Sequence, residues 1–161
     1  MPPNESANFD PLFSLVLVEP QIPPNTGNIA RMTAALKIPL YLVGQPGFDL
    51  SDKHVRRAGL DYWEYADVRL EPDVREFFSG IPDERLHFFS KFADKNYTEA
   101  TYARGDCIVF GSETSGLPGW IFEKYPERFV SLPIFQKQVR SLNLSSAAAA
   151  GAYEALRQIT A

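Results

Sequence analysis

Apolar and polar positions along this chain follow two periods, and the switch between them divides it into strand-like and helix-like segments. Short, nearly continuous apolar runs at 13–18, 40–43, 86–89 and 108–110 read as buried strands, and 65–70 and 129–132 as two more. Between them a helical period covers 26–36, then 51–58 with Ser51 as its cap, then 73–78 with Pro72 at its start. The longest helical pattern begins at Asn143 and carries Leu144, Ala148, Gly151, Ala152, Ala155, Leu156 and Ile159 on one face, with Ser141 or Asn143 as cap. Alternation without an internal repeat, low-complexity block or linker predicts one α/β domain over 1–161, with a mostly parallel sheet and helices on both faces. The polar, proline-bearing stretch 1–11 (MPPNESANFDP) reads as a mobile N-terminal arm.

Composition narrows the class. The chain has 161 residues, 45% of them hydrophobic and 22% charged, enough to bury a core of ordinary size. No membrane span or secretory signal is visible, and the lone Cys107 has nothing to pair with, so a cytoplasmic protein without membrane association is expected. A net charge of −4 argues against indiscriminate nucleic-acid binding and leaves room for a local basic patch.

Several chemistries lack their residues. No G-x-G-x-x-G opens a helix after the first strand. Gly111 and Gly116 have the spacing of a phosphate-binding loop, but Leu117 and Pro118 stand where lysine and a hydroxyl residue are required. Ser112 and Ser115 lack the glycines of a nucleophile elbow. His54, His87 and Cys107 make no metal-ligand cluster, so no metal is expected, and His87 in its apolar run reads as a core residue.

Three polar loops remain, at 19–31, 110–118 and 133–145, each after a strand. In open parallel sheets ligands gather beyond the carboxyl ends of the strands, so the three would line one pocket. Taken singly, each reads equally well as a turn. Arg31 one helical turn past Asn28, and Glu113 and Arg140 within otherwise apolar flanks, favour a shared site.

EPQIPPNTGNIAR (19–31), FGSETSGLP (110–118) and LPIFQKQVRSLNLSSAAAAGAYEALRQ (132–158) resemble, in order, the three signature motifs of the SPOUT-class RNA methyltransferases. RRAGLDYWEY (56–65) is similar to a segment of the short branch that methylates the ribose of the tRNA wobble nucleotide, cytidine or a modified uridine. The resemblance implies an α/β fold with a C-terminal deep trefoil knot, a homodimer, the tRNA anticodon loop as partner and S-adenosyl-L-methionine as methyl donor. A SPOUT enzyme acting on another tRNA or rRNA ribose, and a catalytically silent nucleotide- or RNA-binding module, are the rival readings.

By the same resemblance the donor pocket falls on Phe89, Gly111, Leu132 and Ser141, with Ile134 beside Leu132 as an apolar wall and Glu113 in the same loop as Gly111. The chain departs from the family at Ser90, Lys91 and Phe92, where a Thr-Lys pair is frequent, and at 147–150, where alanines replace larger aliphatics. Arg31 matches the motif-one arginine to which proton removal is often assigned. A guanidinium of reference pKa about 12.5–13.8 is a poor base, so Arg31 is expected to hold a phosphate and stabilise a forming alkoxide. Asn28, Arg140 and Asn143, with Glu113, would orient substrate or fix the loops. Lys53, His54, Arg56, Arg57, Lys137 and Arg140 are the candidate RNA-facing charges, and Tyr62 and Trp63 either stacking platforms or core residues.

Overall fold

The computed structural model describes residues 10–58 and 62–161; the expected arm falls mostly, and Gly59 to Asp61 of the 56–65 segment wholly, outside them. Among the described residues six strands form one sheet: β1 (Ser14–Val18), β2 (Pro39–Val43), β3 (Asp67–Glu71), β4 (Leu86–Phe89), β5 (Cys107–Phe110) and β6 (Phe129–Val130). Their order is β3-β2-β1-β5-β4-β6 and every pairing is parallel, as the alternation predicts. The central strand β1 sets Leu15 beside Leu40 on one side and Ile108 on the other.

Successive strand residues point to opposite faces, which builds two apolar layers. Leu15, Leu17, Leu40, Leu42, Ile108 and Phe110 face α1 (Pro23–Leu36) and α5 (Leu144–Thr160). Val16, Val18, Phe88 and Val109 face Phe78 of α3 (Val74–Ser79) and Ile121 of α4 (Gly119–Lys124). The remaining helix, α2 (Lys53–Ala58), packs on α1.

Several boundaries differ from the expectation, each for a local reason. Helix α1 begins at Pro23, not 26, because Pro23 and Pro24 occupy first-turn positions that need no N–H. Asp52 rather than Ser51 caps α2, its Oδ1 accepting from His54 N at 2.7 Å, while Ser51 turns back to Asp49. The strand expected over 65–70 forms as β3 but starts two residues later, at Asp67, because a 3-10 turn takes Trp63–Tyr65. Asp73 caps α3 through Glu76 N, leaving Pro72 outside it. Strand β6 is only two residues long, with Ser131 in an isolated bridge to Asn96, so Leu132 lies past the strand. Helix α4 was not expected; its six residues carry too little period to separate it from a turn.

The small residues of α5 meet the sheet directly. A Cβ at Gly151 would lie 2.9 Å from the Phe89 ring and 3.0 Å from that of Phe110, and Ala148, Ala152 and Ala155 are fully buried in the same layer. The buried face of this small-residue stretch is therefore used on the chain's own core.

Candidate active site

The start of α1 organises the site. Its N-cap Ile22 has no side-chain cap, and the two prolines after it have no N–H to offer. The Glu113 carboxylate, from the loop after β5, takes the place of a local cap: Oε1 accepts from Gln21 N at 2.9 Å, and Oε2 from Ile22 N at 2.8 Å and Asn25 Nδ2 at 3.2 Å. A negative group at a helix N-terminus is favoured by the macrodipole as well as by the hydrogen bonds. Asn25 Oδ1 in turn accepts from Asn143 Nδ2 at 3.1 Å, and Asn143 Oδ1 caps α5 through Ser145 N and Ser146 N at 2.9 and 3.3 Å. One run of hydrogen bonds, Glu113 to Asn25 to Asn143, thus joins the three polar loops. Asn25, buried to 6% exposure, was missed from the sequence, although a polar residue directly after Pro-Pro at a helix start was a usable signal.

Asn28 and Arg31 stand one turn apart on an exposed face of α1. Among the described residues Arg31 makes no ion pair; its guanidinium carbon sits 4.6 Å from the centre of the Tyr62 ring. Helix α2 reaches this face because position 27 is glycine: a Cβ there would come within 2.3 Å of the Val55 carbonyl oxygen and 2.6 Å of Ala58 Cβ. Close packing on α1 brings the exposed Lys53, His54, Arg56 and Arg57 alongside it, with Arg56 5.9 Å from the Trp63 ring. Tyr62 is half exposed, whereas Trp63 packs against the core.

A concavity of about 330 Å³, open to solvent, lies beyond the carboxyl ends of β4 and β6. Leu132, Pro133, Ile134 and Val139 supply its apolar wall, and Lys91, Gln136, Lys137 and Arg140 its polar groups. Of the residues expected to hold the donor, Leu132 and Ile134 line it, and Ser141 is exposed just past its last lining residue. The other three have packing or clamping roles. The Phe89 ring is buried against Phe110 at 4.6 Å between centres, and Glu113 has both oxygens engaged by α1. A Cβ at Gly111 would meet Gly116 C at 2.3 Å and Leu117 N at 2.5 Å, so the glycine closes its own loop. That loop is pinned by Ser112 Oγ, which accepts from Ser115 N at 3.0 Å.

Other ionisable groups are internal. His87 and Asp106 form a buried pair at 2.8 Å, as a core histidine requires, and Asp106 also accepts from Ala103 N. Cys107 is buried in β5, and burial pushes its thiol up to about 12. Among the described residues no cluster of His, Cys, Asp and Glu is assembled to hold a metal, and no helix is long and apolar enough to cross a membrane.

Residues 12–153 match the SpoU rRNA Methylase family. Similar proteins include the tRNA (cytidine(34)-2'-O)-methyltransferase of Burkholderia cenocepacia, 43% identical over 91% of this chain and 96% of the relative. A solved structure described as giving insight into the 2-OH methylation of C/U34 on tRNA superposes with a TM-score of 0.84 at 40% identity, covering 92% of this chain and 96% of the other. The SpoU methyltransferase AviRb from Streptomyces viridochromogenes, in complex with the cofactor AdoMet, shares the fold with a TM-score of 0.80 at 23% identity, over 93% of this chain and 61% of that one.

Proposed function

The chain belongs to the SpoU rRNA Methylase family, and from that premise we propose that it transfers a methyl group from S-adenosyl-L-methionine to the ribose 2′-hydroxyl of nucleotide 34 of tRNA, a cytidine or modified uridine. What carries the reading in the structure is the Glu113–Asn25–Asn143 connection, which fixes the helix bearing Arg31 relative to the loop that lines the concavity. The near-complete coverage of the tRNA-modifying relatives supports tRNA over the ribosomal substrate in the family's name.

The concavity fits the donor. Its volume of about 330 Å³ lies within the usual range of ligand pockets, and its wall is aliphatic with polar groups at the edge. When bound, S-adenosylmethionine supplies an electrophilic methyl carbon on a positively charged sulfur. Leu132 and Ile134 would wall its adenine, with backbone groups of the 131–141 loop as hydrogen-bond partners. The methyl group would pass from the sulfonium to the ribose 2′-oxygen as the carbon–sulfur bond breaks, and the hydroxyl proton would leave to water or a substrate phosphate. Arg31, which makes no ion pair among the described residues, holds a phosphate and stabilises the developing negative charge. Asn28, one turn earlier, and Arg140, at the concavity, orient the substrate from either side. Lys53, His54, Arg56, Arg57 and Lys137 receive the anticodon-loop backbone, whose recognition rests on shape and an unstacked base.

Three finer features belong to the same reading: a homodimer, cytoplasmic location, and a deep trefoil knot in the C-terminal part of the chain. The return of the chain from edge strand β6 to lay α5 over Phe89 and Phe110 of β4 and β5 supports the knot. Nucleoside mapping of tRNA from a strain lacking the gene tests the function. Loss of the 2′-O-methyl group at position 34, restored by the gene, is expected. Loss at a different ribose would reassign the substrate, and absence of donor binding by calorimetry would leave a silent module.

A further inference from the structure

We infer that Tyr62 is a positioning residue for methyl transfer, holding the Arg31 guanidinium where it meets anionic oxygen; this rests on the methyltransferase reading above. The guanidinium carbon is 4.6 Å from the ring centre, well inside cation–π range. An arginine on an exposed helix face otherwise samples many rotamers, and fixing it costs free energy of the same order as one cation–π contact provides. A carboxylate would also fix it, but by engaging the donors that substrate needs. A ring leaves the in-plane N–H groups free, and among the described residues Arg31 has no ion pair.

The backbone that carries the ring is fixed by its neighbours. Trp63, its neighbour, packs against the core, and the Tyr62 carbonyl accepts from Tyr65 N at 2.9 Å. The 3-10 turn that follows packs on α1, the helix that carries Arg31. At 42% exposure Tyr62 is no core residue, so its place is explained by what lies over it.

Two measurements test this. Proton–nitrogen NMR of the arginine side chains should show Arg31 displaced by the ring current, unchanged in Tyr62→Phe and near the free-arginine position in Tyr62→Leu. Single-turnover methylation at saturating donor and tRNA should fall about tenfold in Tyr62→Leu and stay within about twofold in Tyr62→Phe, with donor and tRNA affinities unchanged. In an Arg31→Ala background, Tyr62→Leu should add nothing further, the signature of a residue that acts through another. An undisplaced Arg31 resonance in the parent overturns the inference. So do additive effects of the two substitutions, which would make Tyr62 an independent stacking surface for a base. A displaced resonance in a protein that methylates no tRNA removes both the functional reading and the positioning role, while leaving the contact itself in place.

Discussion

Arg31, Glu113 and Cys107 represent three fates of a reactive side chain in this fold. Arg31 is exposed and unpaired among the described residues, so its removal should act on the reaction rather than on stability. Arg31→Ala is expected to lower single-turnover methylation by at least ~100-fold, the usual loss of one electrostatic stabiliser, with donor affinity unchanged. Arg31→Lys keeps the charge without the fork and should recover only part of the rate. Glu113 is a clamp, and Glu113→Gln should destabilise the protein by roughly 1.5–3 kcal/mol in urea unfolding, because the two backbone donors bond to different carboxylate oxygens, one of which becomes an NH2 donor in the amide, and the amide carries no charge to the helix end. A Glu113→Gln protein of parental stability would show that α1 is held by other contacts. Cys107, with its thiol raised to about 12 by burial, should resist thiol reagents at pH 8 while folded. A folded-state pKa above the ordinary 9.0 contributes stability that is complete below pH 9 and lost as pH rises through 12, and the upward shift of Tyr102 acts in the same direction. Chemical unfolding measured from pH 8 upward should therefore show stability falling only on the alkaline side.

At the scale of elements, glycines decide how closely helices approach. Replacing a mid-helix glycine by alanine ordinarily gains about 1 kcal/mol of helix propensity. At Gly27 the new Cβ would sit 2.3 Å from the backbone oxygen of Val55, an obstacle that cannot rotate away, so the steric effect wins. Gly27→Ala should lower the melting temperature and weaken tRNA binding together, because α2 carries four of the basic side chains. A rise in melting temperature with parental tRNA affinity would count against the α1–α2 contact. Gly151 shows the same logic on the sheet: its neighbours are the rings of Phe89 and Phe110, which explains why α5 has small residues where a larger aliphatic would not fit.

At the scale of the molecule, the all-parallel sheet collects the loops after β1, β4, β5 and β6 at one end. Two of these loops, after β1 and β5, are joined to the start of α5 by Glu113, Asn25 and Asn143. The homodimer is a prediction at this scale. Since Ala148, Gly151, Ala152 and Ala155 are buried in the chain's own core, its contacts must come from other surface, with the exposed Phe135 and Tyr153 as candidates. Light scattering at micromolar concentration should return twice the chain mass, and an active monomer would remove the dimer.

The periods and turn residues of the sequence by themselves determined the α/β class, the strands β1, β2, β4 and β5, the long C-terminal helix and the three loops that matter, because hydrophobic spacing and capping chemistry are local properties. The motif resemblance added the family, which the comparison with known proteins bears out. Only the tertiary structure decided what each polar or aromatic residue faces. Glu113 meets Gln21 across 92 positions because β5 lies next to β1, Phe89 is buried because α5 closes over β4, and Tyr62 reaches Arg31 because the 3-10 turn that follows it packs on α1. Alternation specifies strands without their order, and it is strand order that sets which distant loops become neighbours.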